Sequence, residues 1–135
     1  MNKPMEAYAK VAWTGNNQRE LEAAALMKAA TRLKLVQERW DEDRSDLDQA
    51  LAYNRKLWTI LSTAATDPES LLPPDLQRNM ALIAMFIFNR SLDMIVEPKK
   101  EHLDSLIEIN RNIAFGLTHK DGPEMAGSAD IVQSA

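Results

Sequence analysis

The sequence predicts an all-α protein: a small helical bundle of about four main helices, with a short N-terminal helix and a mobile C-terminal tail. Three observations predict this class: only 4 glycines in 135 residues, few runs of β-branched residues, and apolar residues that recur every three or four positions. The length suits one domain with a substantial core. We expect residues 1–117 to form a single helical domain and the small, polar residues 118–135 to form a disordered tail.

The N-terminal third predicts two helices separated by a break. The first covers about residues 4–13, with Pro4 in the first turn, where its missing N–H costs no hydrogen bond. Gly15 and the asparagine after it predict the end of this helix. The second helix covers about residues 17–40, because it opens on an Asn-x-x-Glu sequence with the spacing of a capping box.

Two further helices are predicted before the last break, and a final one after it. The first covers about residues 45–65 and opens on a Ser-Asp-Leu-Asp sequence that resembles an N-cap. Three prolines within residues 66–74 predict a loop, and the next helix covers about residues 75–96. Pro98 breaks the chain again, and the last helix covers about residues 100–117. An up-down bundle of the four main helices would bury all four apolar stripes.

Two helical stripes each carry an asparagine where the pattern predicts leucine. One stripe holds positions 47, 51, 54, 58 and 61, and the other holds positions 103, 107, 110, 114 and 117 with the same spacing. The third position is Asn54 in one and Asn110 in the other. A buried amide without a partner costs roughly 1–3 kcal/mol, so both amides are expected to have partners. Their helices run parallel in an up-down bundle, which predicts one shared hydrogen-bonded layer.

The neighbours of these asparagines are assigned structural roles. Trp58 lies on the first stripe and is predicted to anchor the core. Arg55 and Arg111 lie beside the stripes and are predicted to flank the core, where they contact nearby carboxylates or carbonyls. The two Asn-Arg pairs would also suit recognition of a partner. The structural assignment is preferred because Asn54 and Asn110 both lie on the stripe that faces the core.

The motifs argue against catalysis, metal binding and cofactor binding. Cysteine is absent, which excludes thiolate nucleophiles and ligands. Neither His102 nor His119 has a second histidine or a carboxylate at helical zinc spacing. The acidic residues 41–46 lack the glycine and glutamate of a calcium loop, and no phosphate-binding or nucleophile motif occurs. We therefore expect no enzymatic activity, no catalytic residues, no metal and no cofactor.

Charge and hydropathy indicate a cytoplasmic protein that binds other proteins. A net charge of −4 disfavours direct contact with nucleic-acid phosphates. The longest apolar run, residues 80–88, is 9 residues long, well short of the ~20 that span a membrane, so membrane insertion is not expected. The first eight residues lack the apolar segment of a signal peptide, and a chain without cysteine suits a reducing cytosol.

The apolar run at 80–88 is the strongest indication of function in the residues themselves. A helix that is apolar on every face suits the centre of a core, and it equally suits a surface that binds another apolar helix. In so small a bundle, part of the run is expected to face outward. We predict Met85, Phe86 and Phe88 as partner-binding residues, in which case Phe86→Glu abolishes binding while the chain stays folded.

An ordered set of motifs resembles one known family, the FlaF flagellar biosynthesis regulators of alphaproteobacteria. The motifs are Asn-Arg-Lys-Leu-Trp at 54–58, Leu-Pro-Pro-Asp-Leu at 72–76, and Leu-Ile-Glu-Ile-Asn-Arg-Asn-Ile-Ala at 106–114 followed by Gly-Leu at 116–117. Tyr8, Arg-Glu-Leu-Glu at 19–22 and Thr-Arg-Leu at 31–33 are similar to the N-terminal half of that family. The resemblance covers about residues 5–117 and leaves the tail outside.

The resemblance implies a cytoplasmic protein that is needed for flagellin production and flagellum assembly. It implies that flagellin is a partner. This protein would act as its secretion chaperone, with an apolar groove that covers the helical termini of the flagellin monomer. One alternative is a post-transcriptional regulator that acts through the flagellin translational repressor FlbT. Another is a structural component of the flagellar export or basal-body apparatus. The resemblance transfers no functional residues, and the oligomeric state is left open.

Overall fold

The computed structural model describes residues 3–119, with side chains described from Asn17 onward. Four α-helices follow one another: α1 (Lys3–Glu38), α2 (Leu47–Ala65), α3 (Pro74–Val96) and α4 (Leu103–Thr118). A single 3-10 turn, Lys100–His102, leads into α4, and the described range contains no strand. The predicted all-α class with four main helices is confirmed. Of the predicted tail, only Thr118 and His119 belong to the described residues.

The predicted break near Gly15 is wrong. Helix α1 continues from Lys3 to Glu38 without interruption, so the expected short N-terminal helix is the first part of α1. A glycine inside a helix costs only about 0.5–1 kcal/mol relative to alanine. Ending one helix and nucleating another costs more, because nucleation fixes several residues for one hydrogen bond. The alanine-, leucine- and glutamate-rich residues after position 17 are strong helix formers that favour continuation.

The other helix ends differ from the predictions by at most three residues. Helix α2 begins at Leu47, because the Ser45 backbone N–H donates to Asp43 Oδ1 at 2.9 Å in the preceding turn. Helix α4 continues through Gly116, which is buried, and ends at Thr118. No glycine in the described range has a positive φ, so Gly116 does not form the left-handed cap that the sequence indicates.

Consecutive helices run antiparallel, and α1 also pairs with α4. The C-terminal end of α1 meets the start of α4, where Gln37 Nε2 donates to the Lys100 carbonyl at 3.2 Å and to Asp104 Oδ1 at 2.7 Å. The same end of α1 meets the start of α2 through Arg32 and Asp46. Helices α2 and α4 therefore run parallel, as the up-down prediction requires, while α3 packs chiefly on α2.

One apolar core lies along the axis of the bundle. All four helices contribute to it, since each has apolar residues at helical spacing on its inner side. The largest fully buried apolar side chains are Leu26, Leu33, Leu51, Trp58, Ile83, Ile87, Met94, Leu103, Leu106, Ile109 and Ile113.

A bidentate ion pair ties the start of α2 to α1. Arg32 Nε donates to Asp46 Oδ2 at 2.8 Å, and Arg32 Nη2 donates to Asp46 Oδ1 at 2.7 Å. Both side chains are partly exposed to solvent. The hydrogen bonds from Arg32, reinforced by its positive charge, lower the pKa of Asp46 below the usual aspartate value of 3.8.

This ion pair predicts an acid-sensitive contribution to stability. Because the pKa of Asp46 is lower in the folded chain than in the unfolded chain, the unfolded chain binds more protons as the pH falls. The stabilisation is fully present above the usual aspartate pKa of 3.8 and is lost as the pH falls toward the lower folded value. In urea denaturation at about pH 7 and about pH 3, Asp46→Asn should lose less stability on acidification than the wild type.

The matched control is Asp48→Asn. Asp48 is an exposed carboxylate in the first turn of α2 that makes no hydrogen bond or ion pair with a described residue. This variant keeps the pair between Arg32 and Asp46, so it should keep the acid dependence that this pair contributes. Equal acid dependence in Asp46→Asn and the wild type would contradict the assigned role of the ion pair.

Candidate functional site

Three polar side chains form a hydrogen-bonded layer inside the core. Trp58 Nε1 donates to Asn110 Oδ1 at 2.8 Å, and Asn110 Nδ2 donates to Asn54 Oδ1 at 2.7 Å. All three residues are 0% exposed. Asn54 and Asn110 therefore share one layer between the parallel helices α2 and α4, at the matching positions of their stripes. The layer is closed to solvent, so it fixes how the helices fit together and offers no surface to a partner.

The arginines that follow these asparagines lie at the edge of the core. Arg55 is half-buried and Arg111 is exposed. Neither side chain makes a hydrogen bond or an ion pair with a described residue, so the predicted contacts with carboxylates or carbonyls do not form within residues 17–119. Arg111 instead borders an open groove between α1 and α4, beside Met27 and Phe115.

The outward side of α3 is an apolar surface. It carries five exposed large apolar side chains, which we call the α3 outer face: Leu82, Met85, Leu92, Ile95 and Val96. Positions 82, 85, 89, 92 and 96 follow a 3-4-3-4 spacing, so they form one stripe along the helix. The inward side of α3 holds buried residues such as Ile83, Ile87 and Met94. Helix α3 is thus apolar on both sides, and no described helix covers its outer face.

The three residues predicted to bind a partner differ in their exposure. Met85 is 59% exposed and lies near the N-terminal end of the α3 outer face. Phe86 and Phe88 are half-buried and pack against the core. The Arg90 guanidinium lies over the Phe86 ring, 5.2 Å from its centroid, and covers part of that ring. A charged substitution at Phe86 would therefore disturb the core as well as any binding surface, so Met85 is the cleaner position for a test.

Three residues of the α3 outer face were missed by the sequence argument: Leu92, Ile95 and Val96. Leu82 lies inside the apolar run but was not chosen as a partner-binding residue. That argument depended on the unbroken apolar run, which ends at Phe88 before Asn89 and Arg90. The helical spacing from Leu82 to Val96 was a signal that would have found the stripe. It was obscured because Asn89, which lies on the stripe, and Arg90 beside it interrupt the apolar run in sequence, although exposed apolar residues lie on the stripe on both sides of Asn89.

Two further observations bear on the kind of site. By length and composition alone, α3 is apolar enough to cross a membrane, with a mean hydropathy of 1.4 over its most apolar window, 33% of which is buried in the bundle. Within the described part of the chain, no three His, Cys, Asp or Glu side chains are grouped so as to hold a metal ion. The surface that the described residues offer is an apolar helix face suited to another apolar helix.

Comparison with known proteins identifies the family. Searches of curated proteins and of solved structures found no match. The family described as flagellar protein FlaF matches residues 4–117, a range that includes almost all of α1 and α4 and the whole of α2 and α3. The chain therefore belongs to the FlaF family of flagellar proteins, and its role is a flagellar one.

Proposed function

We propose that this protein is a non-enzymatic, cytoplasmic flagellin-binding protein that acts as a secretion chaperone and promotes flagellin production and flagellum assembly. Membership of the FlaF family supports the flagellar setting. The single observation that carries the proposal is the α3 outer face, a row of exposed apolar side chains on a helix whose other side is already built into the core. A soluble helix with both sides apolar is expected to bind a partner.

The proposed contact is a helix that lies against the α3 outer face. An amphipathic helix presents apolar residues at the same three- and four-residue spacing, so its side chains interdigitate with those at positions 82, 85, 92 and 96. Methionine is unbranched and adapts to different neighbours, which suits Met85 for contact with another helix. The helical termini of the flagellin monomer are the proposed ligand, and covering them keeps the monomer from polymerising before export.

A calorimetric titration with monomeric flagellin from the same cell tests the proposal. The wild-type protein should bind at micromolar affinity or tighter, with a negative heat-capacity change, because apolar surface is buried. Met85→Glu places a charge within the proposed contact and should weaken binding at least about tenfold, or about 1.4 kcal/mol. The matched control is Ile60→Glu, at a position on α2 that is 57% exposed, close to the 59% of Met85.

Both variants should keep the helical circular dichroism and the melting cooperativity of the wild type, because both positions are exposed. Ile60→Glu should bind flagellin as the wild type does. Equal binding by Met85→Glu and the wild type would remove the α3 outer face as the site. The absence of any heat or co-elution when both proteins are folded would reject the chaperone proposal and favour a regulator that acts through FlbT.

A further inference from the structure

One end of the bundle contains an apolar cavity of about 360 Å³, which we call the end cavity. It lies where α2 ends, α3 begins and α4 ends. Its apolar walls are Leu61, Ala65, Leu72, Leu76, Met80 and Leu117. A dry cavity of about 150 Å³ accepts a benzene ring, so the end cavity has room for two aliphatic side chains.

The end cavity exists because the inward side of α1 changes from apolar to polar residues at this level. Its inward stripe is apolar through Leu33, Leu26 and Ala23, all of which are buried. One turn closer to the N-terminus, the residues that line the cavity are Gln18, Arg19 and Glu22. Helix α1 therefore supplies polar side chains at the rim, where an apolar side chain is needed to complete the core.

The chain leaves α4 at the rim of this cavity. His119, the residue after α4, is one of the lining residues. Its ring stacks on Phe115 with the centroids 3.6 Å apart, and its Nδ1 donates to the Phe115 carbonyl at 2.7 Å. Residues 120–135 lie outside the described structure and continue from this point. The position of His119 places the start of that segment next to the cavity mouth.

We propose that the C-terminal segment Asp130–Val132 of the same chain docks in the end cavity. Ile131 and Val132 are the only adjacent pair of large apolar residues in positions 120–135 and provide the two aliphatic side chains that fill it. Asp130 precedes them and pairs with Arg19 at the rim. Ile131 lies twelve positions after His119 in the sequence. A chain of that length spans up to about 40 Å when extended, so Ile131 can reach the cavity easily.

A spin label on the tail tests this contact in the full chain. The protein has no cysteine, so Gln133→Cys introduces a single site for a nitroxide label. With Ile131 and Val132 docked, the label should broaden the methyl resonances of Leu72, Leu76, Met80 and Leu117 beyond detection. The methyls of Ile95 and Val96, about 30 Å away along α3, should keep their intensity.

The matched control carries the same label together with Ile131→Asp and Val132→Asp. Its tail is tethered at the same point, so tethering alone gives the same broadening in both chains. Docking predicts that the four cavity methyls recover their intensity in the control, while the amide spectrum of α1 to α4 is unchanged. Equal broadening in the two chains would overturn the proposal. Shifts of the cavity methyls that depend on protein concentration in both chains would assign the cavity to a second copy instead.

Discussion

Replacing Trp58 with alanine should lower the free energy of unfolding by about 3–5 kcal/mol, as expected for truncating a large aromatic residue in a core. Trp58 is 0% exposed and is the largest fully buried side chain among the described residues. The substitution leaves a large cavity between α2 and α4, and it removes the donor that satisfies Asn110 Oδ1. Urea denaturation followed by helical circular dichroism measures the loss directly.

Trp58→Phe separates the two contributions. It keeps most of the buried apolar ring but removes the N–H that donates to Asn110, so it should cost about 1–3 kcal/mol, less than Trp58→Ala. The decisive result is whether Trp58→Ala lowers the free energy of unfolding more than Trp58→Phe does. A cost below about 1 kcal/mol for Trp58→Ala would contradict the buried position of the indole, because such a small loss is typical of surface substitutions.

The second large effect is expected at Asn110, which is the centre of the polar layer. Asn110→Ala leaves two buried groups without partners, the indole N–H of Trp58 and the amide oxygen of Asn54. At roughly 1–3 kcal/mol for each such group, we expect a loss of about 2–5 kcal/mol in the free energy of unfolding. Asn54→Ala leaves Asn110 Nδ2 without its acceptor, but it also removes Asn54 Nδ2, which is buried without a partner among the described residues, so it should cost less than Asn110→Ala.

A double-mutant cycle tests whether the two asparagines act together. Once Asn110 is alanine, Asn54 has already lost its hydrogen-bonded neighbour, so a second substitution costs less than it does alone. The coupling energy from urea denaturation should lie in the range of about 0.5–3 kcal/mol found for residues in direct contact. Strict additivity would mean that the 2.7 Å contact between Asn110 Nδ2 and Asn54 Oδ1 does not contribute to stability in solution.

The polar layer also gives these helices a register. The layer forms only when Asn54, Trp58 and Asn110 lie at the same depth, so sliding α2 past α4 by one turn would leave their buried polar groups without partners. The position of α2 in turn determines where α3 packs, because α3 rests chiefly on α2. We therefore expect substitutions in the layer to make the position of α3, and with it the α3 outer face, less well defined, as well as to destabilise the core.

The helical class, the inward stripes of α2 and α4 and the shared layer of Asn54 and Asn110 were all predictable from the sequence. These features depend on the helical period and on the cost of burying an amide, and both are local properties of the chain. Gly15 shows where local signals are insufficient, since α1 continues through it to Glu38. Whether a glycine ends a helix depends on the balance between its small cost and the cost of starting a new helix.

The side of α3 that stays exposed depends on how the helices pack together. An apolar run such as 80–88 has no polar side to mark the surface, so sequence could not show that Met85 faces outward while Phe86 and Phe88 pack on the core. The end cavity also depends on packing, because α1 places polar side chains at the level where α2 and α4 end and α3 begins. Such relations depend on the packing of distant segments, which the local period of a helix does not encode.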